Sequence, residues 1–194
     1  MYSAARKYEE TAYVLDYLPQ GHPAEMRMTY QREELVQVIG ESFFTLLELI
    51  PRRDAQFSSK ERVIIGGKDG SGKIDHVKGR IQYDDLSATA KNELPIVIEA
   101  IISANEARFI RFFNTAGPIT TRLHQLQLLP GIGKKTMWEI LDERKKKPFT
   151  SFQDLVERVR IQDPRKVIVK RILIELQNED KYQIFTWKQR SSQQ

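Results

Sequence analysis

Residues 128–135 read LLPGIGKK, and Met137, Ile140 and Leu141 follow them at helical spacing. Two glycines around one apolar residue allow the backbone to form a tight hairpin, in which Ile132 is expected to pack between the flanking helices. The amides after the second glycine then point outward from a helix N-terminus, where the helix dipole favours a phosphate oxygen. The string therefore predicts a site that binds phosphate and does not distinguish bases.

The predicted contact residues are the turn, the first helical residues after it, and the basic run at the far end of that helix. An ordinary glycine-containing helix turn is the alternative for the string. A solvated helix end, favoured by the dipole, is the alternative for the basic run. The nucleic-acid contacts predicted in this part of the chain are Pro130, Gly131, Ile132, Gly133, Lys134, Lys135, Thr136, Arg144, Lys145, Lys146 and Lys147.

Charge is unevenly distributed along the chain. Residues 118–194 hold 16 Lys and Arg against 9 Asp and Glu, whereas residues 1–117 hold 15 against 17, and the formal net charge is +5. A local surplus of cations favours polyanionic partners. The C-terminal third is therefore predicted to provide most of the electrostatic attraction for nucleic acid.

The string resembles the helix-hairpin-helix motif, in which two glycines flank an apolar residue and one small and two large apolar positions follow. The residues that fill this pattern are Gly131, Ile132, Gly133, Ile140 and Leu141. Met137 stands where the motif prefers a small residue, which suggests looser helix packing. The helices predicted after Pro118 cover residues 121–129, 134–144, 152–159 and 165–177, with Thr150 or Ser151 as the N-cap of the third.

The last two of these helices resemble a degenerate second copy of the motif. Residues 161–164, which read IQDP, replace the glycine hairpin and introduce the acidic Asp163. This copy is therefore expected to act as a scaffold. The resemblance implies a tandem helix-hairpin-helix domain that binds the minor groove or an irregular RNA backbone.

The N-terminal half is predicted to form short strands, because runs of β-branched and aromatic residues are bounded by Gly, Pro or charged residues. The predicted strands cover residues 10–18, 35–40, 43–50, 62–66 and 73–83. Five short strands predict a small barrel or curled sheet. Three helices are then predicted: one that begins at residues 86–89, a second with Pro95 in its first turn, and a third over residues 106–113. A domain boundary is predicted at residues 114–118.

A second set of contacts is predicted in this half. Strand alternation would place three basic side chains on one face of the last strand, and nearby tyrosines would stack on bases, as OB-folds do with single strands. These residues are His76, Lys78 and Arg80, with Tyr13, Tyr17 and Tyr83 as the aromatics. The alternative places the aromatic rings in the core and the charges in solvent.

Other site classes have little support in the sequence. Residues 67–73 match GxxxxGK, but Ile74 occupies the position that needs a hydroxyl for magnesium, and a strand is predicted to follow instead of a helix. The chain has no cysteine, and its three histidines are far apart, so neither a metal site nor a cofactor is expected. No apolar run approaches the about 20 residues of a membrane-spanning helix, so a soluble, unexported protein is expected.

The whole chain resembles an archaeal family of uncharacterised proteins predicted to join an OB-like barrel to a helix-hairpin-helix module. The strings that carry the resemblance are QGHP, KIDHVKGRI, YDDL and ITTRLHQLQLLPGIGKK. It implies an α+β protein in the cytoplasm. The domains expected are an OB-like barrel at residues 1–86, a helical connector at 87–117, a tandem helix-hairpin-helix domain at 118–180 and a tail at 181–194.

The predicted function is non-catalytic, sequence-independent nucleic-acid binding, linked to RNA or the ribosome rather than to repair. A rival is a base-excision glycosylase, because LPGIGKK-type hairpins occur there, with Asp154 in the interval where those enzymes hold a catalytic Asp. The pair Asp84-Asp85 is a further acidic candidate. A third hypothesis is a protein-interaction module, with a protein partner at the N-terminal sheet and at residues 109–113.

Overall fold

The structure is a computed structural model that describes residues 8–21, 33–65 and 72–187. The chain divides into two compact units, Met1–Val97 with Phe185–Gln194, and Ile98–Ile184. This division lies inside a helix, whereas the change of sequence pattern predicted a boundary at residues 114–118. The glycine-rich residues 67–71 and the polar tail at 190–194 lie outside the described residues.

The first unit contains a curled five-stranded antiparallel sheet. Its strands are β1 (Thr11–Leu18), β2 (Leu35–Gly40), β3 (Leu46–Pro51), β4 (Arg62–Ile64) and β5 (Ile74–Arg80). All five lie close to their predicted positions, so the mixed α+β class and the curled sheet are confirmed. The neighbour order β4-β1-β2-β3-β5 places the fourth strand beside the first, which is the Greek-key order.

One face of this sheet forms the core of the first unit. Paired positions such as Val14 with Val38 and Val36 with Leu49 bring apolar side chains together across neighbouring strands. The buried cluster consists of Ala12, Val14, Val36, Val38, Leu47, Leu49, Val63 and Ile74. Because a one-residue slip would turn these side chains to the opposite face, the cluster stabilises the register of the sheet.

A buried glutamate holds the turn between β2 and β3. The Glu9 carboxylate accepts hydrogen bonds from the amides of Ser42, Phe43 and Thr45 at 2.9, 2.9 and 3.1 Å. Its side chain also lies against Gly40, where an added Cβ would overlap the carboxyl group. Gly40 therefore leaves the space in which this carboxylate reaches the turn.

We predict that Gly40→Ala lowers the free energy of unfolding by about 1–3 kcal/mol, because the methyl group displaces a carboxylate that three amides need. The control is Gly79→Ala in β5, where an added Cβ meets nothing within 4 Å. Alanine in a strand is better than glycine by about 0.5–1 kcal/mol, so the control is expected to be neutral or stabilising. Urea unfolding of both variants measures the difference, and equal effects would contradict this role of Gly40.

A single helix, α1 (Ala88–Ala104), replaces the two helices predicted between residues 86 and 104. Ser87 begins it: its Oγ accepts a hydrogen bond from the Ala90 amide at 3.0 Å and donates one to Asp16 at 2.6 Å. Pro95 lies inside the helix rather than in a first turn. An internal proline costs about 3 kcal/mol, and the helix continues through it because a long apolar stripe is buried on both sides. That stripe comprises Leu94, Val97, Ile98, Ile101 and Ile102.

The second unit is mostly helical. After α1 its elements are α2 (Glu106–Thr115), β6 (Pro118–Thr120), β7 (Leu123–His124), a 3-10 turn (Gln125–Leu128), α3 (Lys134–Lys146), α4 (Phe152–Arg158) and α5 (Pro164–Leu176). The helices α2 to α5 lie close to their predicted positions.

The prediction of a helix over residues 121–129 is wrong. A two-stranded hairpin and a short 3-10 turn occupy this segment. His124 caps the turn, because its Nδ1 accepts from the Leu126 amide at 3.1 Å while the Gln127 side chain accepts from the His124 amide at 3.0 Å. Leu129 is extended, as expected for a residue before proline, so the turn cannot lengthen into a helix at this end.

Candidate nucleic-acid interface

Residues 130–133, here called the glycine turn, connect the 3-10 turn to α3. Leu129, just before the turn, and Ile132, within it, are both buried, and the Ile132 amide donates to the Leu129 carbonyl at 3.0 Å. Gly131 has a φ of +86°, in the left-handed region that favours glycine. The turn is therefore held by two apolar anchors and one backbone position that suits glycine.

The backbone of Gly133 is extended, a conformation that any residue can adopt, so the hairpin does not need glycine at this position for its backbone conformation. It is the N-cap of α3, and its carbonyl accepts from the Met137 amide at 2.9 Å. A Cβ at this position would meet no atom within 4 Å. What glycine provides here is open space beside the first amides of the helix, which a bound group can approach closely.

The start of α3 lacks the side-chain cap that α4 and α5 have. Ser151 accepts from the Asp154 amide at 3.0 Å, and Asp163 accepts from the Lys166 amide at 3.2 Å. Gly133 has no side chain to do the same for α3. Because the first amides of a helix have no intrahelical acceptor, the start of α3 offers donors that its own sequence does not cap.

The lysines beside these amides are exposed cations. Lys134 and Lys135 are exposed, and within the described part of the chain neither has a carboxylate within 4 Å. At the other end of α3, Lys145 pairs with Asp142 at 3.3 Å and Lys146 with Glu143 at 2.6 Å. The lysines at the glycine turn thus have no carboxylate partner among the described residues, whereas Lys145 and Lys146 at the other end of α3 do. Pro130 and Thr136 are half-buried, and Lys147 is exposed.

Arg144 does not join the exposed cations. Its Nη1 donates to the carbonyls of Phe113 and Ala116 at 3.0 and 2.9 Å. Burial lowers the pKa of this guanidinium. Arg144 thus ties α3 to the last turn of α2 and to the residue that follows α2, which gives it a structural role.

The predicted basic face of β5 is less regular than simple alternation implies. His76, Lys78 and Arg80 are all exposed, but two register shifts in the pairing of β3 with β5 interrupt the alternation. His76 also lies 2.8 Å from Asp75, and Lys78 lies 3.4 Å from Glu33. Carboxylates therefore offset part of the positive charge on this strand.

The tyrosines proposed for base stacking have partners within the first unit. The Tyr17 hydroxyl donates to Glu34 at 2.8 Å, and its ring lies 5.4 Å from the ring of Phe57. The Lys91 ammonium lies 5.4 Å from the centre of the Tyr83 ring. These rings are half-buried and packed, so the structure offers less open aromatic surface here than the prediction assumed.

The residues that carried the two rival hypotheses also have structural roles. The Asp154 carboxylate accepts from the Thr150 amide at 2.9 Å, a hydrogen bond that lowers its pKa, and pairs with Arg158 at 3.2 Å. Asp85 caps a 3-10 turn by accepting from the Gln82 amide at 2.8 Å. In the segment 109–113, Phe109 and Phe113 are fully buried, so this segment is not the exposed docking surface that was predicted.

Sequence reasoning missed Trp138, the most exposed tryptophan, with 57% of its surface accessible. It lies on α3, four residues after Lys134 and three after Lys135. The signal was present, because the buried stripe of Met137 and Ile140 leaves position 138 on another face of the helix. An exposed aromatic ring therefore stands on the helix that begins at the glycine turn.

Sequence reasoning also missed a buried ionic network behind the turn. Arg171, 2% exposed, donates to Glu175 at 2.8 Å, to Asp180 at 2.8 Å and to the carbonyls of Leu128 and Tyr182. Glu175, 1% exposed, also accepts from the Ile184 amide at 2.9 Å. The network joins α5 and the segment after it to the residue before the buried Leu129. The signal was the spacing of Arg171 and Glu175 along the buried face of α5.

Comparison with known proteins places the chain in a family. Residues 8–187 match the family model described as "Protein of unknown function (DUF655)". An uncharacterised protein from Methanocaldococcus jannaschii is 47% identical over 186 residues, which cover 94% of this chain and 82% of that protein. The chain belongs to the DUF655 family.

A crystal structure of a DUF655 protein from Archaeoglobus fulgidus is similar along its whole length. Its TM-score is 0.83 and its sequence identity 50%, with 92% of this chain and 100% of that chain covered. Both relatives are archaeal, which confirms the archaeal family predicted from the sequence.

The described residues contain neither a membrane-spanning helix nor a cluster of metal ligands. None of the helices there combines the length and the apolarity needed to cross a membrane. The same residues do not bring three His, Asp or Glu side chains into an arrangement suited to a metal ion. The glycine turn and the first turn of α3 are thus the arrangement on which a functional proposal is based.

Proposed function

We propose that this DUF655 protein binds the phosphate backbone of nucleic acid without reading base sequence, and that it acts by binding rather than by catalysis. The observation that carries the proposal is the start of α3, which has no side-chain cap, open space at Gly133 and two exposed lysines that have no carboxylate partner among the described residues. Backbone amides, a helix dipole and lysines together favour a phosphate oxygen. Such contacts position a backbone and carry no base information.

We also interpret the 3-10 turn, the glycine turn and α3 as a helix-hairpin-helix whose first helix is shortened. The pair α4 and α5 would be its second, degenerate copy. Asp163 caps α5 and places a carboxylate where the first copy has Gly133. A carboxylate at that position repels phosphate, so the second copy is proposed to support the first.

For the first unit we propose an OB-like barrel. Support comes from its five strands and from the Greek-key order of four of them. The partly neutralised cations on β5 and the packed tyrosines make it the weaker candidate for nucleic-acid contact. A protein partner at this sheet is the second proposal for this unit.

The enzyme alternative has less support than binding. A glycosylase needs an available carboxylate near the bound backbone, and the Asp154 carboxylate is already used by the Thr150 amide and by Arg158. Affinity is therefore the property to measure, and RNA and DNA versions of each ligand show which of the two polymers the protein prefers.

The test compares two double charge reversals in the full chain. Lys134→Glu with Lys135→Glu is expected to weaken binding of one duplex by about tenfold or more, because charge-assisted contacts to phosphate contribute about 1.5–3 kcal/mol each. Acidic residues in the first turn of a helix are favourable, so α3 should remain folded. Affinity is measured by fluorescence anisotropy at two salt concentrations, with folding checked by circular dichroism.

The matched control is Arg165→Glu with Lys166→Glu in the first turn of α5, which changes the net charge equally. Arg165 lies 3.9 Å from Glu106 and Lys166 lies 3.4 Å from Asp163, and both cations are exposed, so the loss of these surface pairs should affect stability little. A smaller loss of affinity in this control is expected at both salt concentrations. Equal losses in the two variants would mean that a diffuse basic surface binds, and the site at the glycine turn would be rejected.

A further inference from the structure

Trp138 is an exposed aromatic side chain that the packing of α3 does not explain. More than half of its surface is accessible, while Met137 and Ile140 beside it in sequence are buried. Placing a large apolar ring in water forgoes the free energy that its burial would provide. On the N-terminal side of Trp138 the residues four and three positions away are Lys134 and Lys135, whereas Leu141 and Asp142 hold these positions on the C-terminal side.

Helix geometry brings the indole toward the glycine turn. Residues three and four positions apart are neighbours on a helix surface, so Trp138 shares a face with Lys134 and Lys135. Long side chains on a helix lean toward its N-terminus and cover the preceding turn. Helix geometry therefore predicts that the ring of Trp138 leans over the first turn of α3, on the side that carries Lys134 and Lys135.

We infer that Trp138 is a base-stacking subsite beside the phosphate-binding turn, and this inference rests on the function proposed above. The ligand class is nucleic acid with an unpaired base next to the bound phosphate, such as a duplex end with a single-stranded overhang. Bases inside a continuous duplex are stacked on one another and expose only their edges, whereas an unpaired base offers its face. Stacking tolerates any base, so the subsite selects structure without selecting sequence.

The tryptophan content of the chain allows a direct test. The sequence contains two tryptophans, so in a Trp187→Phe background Trp138 is the only one that fluoresces. Labelled ligands are a blunt duplex, the same duplex with a short overhang, and that overhang made abasic, each as DNA and as RNA. Anisotropy reports the affinity of each ligand, and quenching of Trp138 fluorescence reports stacking.

The overhang ligand is expected to bind about five- to hundredfold more tightly than the blunt duplex and to quench Trp138, since stacking one base on an aromatic ring contributes about 1–3 kcal/mol. The abasic overhang should lose both effects. Trp138→Ala should reduce the affinity for the overhang to that for the blunt duplex, and Trp138→Phe should retain part of the preference. The Trp138→Ala variant should bind the blunt duplex as the native chain does.

Two results would overturn the stacking subsite alone. One is binding of the overhang ligand without quenching of Trp138, and the other is an equal loss of affinity for the overhang and blunt ligands in Trp138→Ala. The second result would point to a general packing role for the ring, or to its use by a protein partner. If none of the ligands binds, the proposed function is overturned together with the subsite. Because anisotropy and quenching are read in one titration, the two failures are distinguished.

Discussion

Arg171→Met is expected to lower the free energy of unfolding by about 3–5 kcal/mol, because it removes one partner of a buried ion pair. Methionine has a comparable length and leaves Glu175, 1% exposed, without its cation. The same substitution removes the donors to Asp180 and to the carbonyls of Leu128 and Tyr182. Leaving the buried Glu175 carboxylate and these partly buried acceptors without their donor costs more than the lost attraction itself.

The control for this prediction is the same substitution at an exposed pair. Arg165→Met removes a pair with Glu106 at 3.9 Å, in which Arg165 is 44% exposed. Surface pairs contribute about 0–1 kcal/mol, so this variant should unfold close to the native chain. Urea unfolding followed by circular dichroism measures both variants. If Arg171→Met changed stability no more than Arg165→Met, the buried network would not hold the fold.

The effect of Arg171→Met is also expected to depend on pH. Arg171 is the main cause that lowers the pKa of Asp180 in the folded chain. A carboxyl group with a lowered pKa stabilises the fold above its ordinary pKa, and this stabilisation is lost as the pH falls through its folded pKa. Arg171→Met removes that contribution, so the difference between the variant and the native chain should be smaller at about pH 2–3, below the ordinary aspartate pKa of about 3.9, than at about pH 7.

Gly133→Asp is expected to weaken nucleic-acid binding by about a hundredfold while leaving the chain folded. Aspartate is a good N-cap, so its carboxylate should bond the first amides of α3 and stabilise the helix slightly. The added Cβ meets nothing within 4 Å. The same carboxylate would then occupy the donors proposed for phosphate and repel the ligand, and each lost charge-assisted contact contributes about 1.5–3 kcal/mol.

Two further variants separate capping from charge. Gly133→Asn caps the same amides without a negative charge, and we expect an intermediate loss of about tenfold. Gly117→Asp adds a carboxylate at another glycine where a Cβ meets nothing within 4 Å, and should change affinity less than twofold. Anisotropy with one duplex and thermal unfolding of each variant provide the comparison. Native affinity in a folded Gly133→Asp variant would reject the proposed phosphate site.

Local signals explain the elements that the sequence predicted well. The strands of the sheet are short runs of β-branched and aromatic residues that end at Gly, Pro or charged residues. The starts of α4 and α5 are marked by Ser151 and Asp163, whose side chains bond amides only three residues away. Interactions between residues so close in sequence depend on only a few neighbouring residues, so they can be predicted from a single sequence.

The errors have physical reasons of their own. The helix expected over residues 121–129 failed because the His124 cap and Pro130 both oppose helix extension. The break expected at Pro95 failed for the opposite reason, since burial of the stripe along α1 offsets a local cost. In each case the pattern of apolar residues was read correctly and a competing interaction determined the outcome.

The sequence by itself determined the family, the strands, the glycine turn and the uneven distribution of charge. Only the tertiary structure decided which of these charges are available. Lys134 and Lys135 have no carboxylate partner among the described residues, whereas Arg144 bonds carbonyls 28 and 31 residues away and Arg171 is buried with Glu175. The composition of the chain cannot separate these cations, because pairing and burial depend on which distant groups the packing brings within hydrogen-bonding distance.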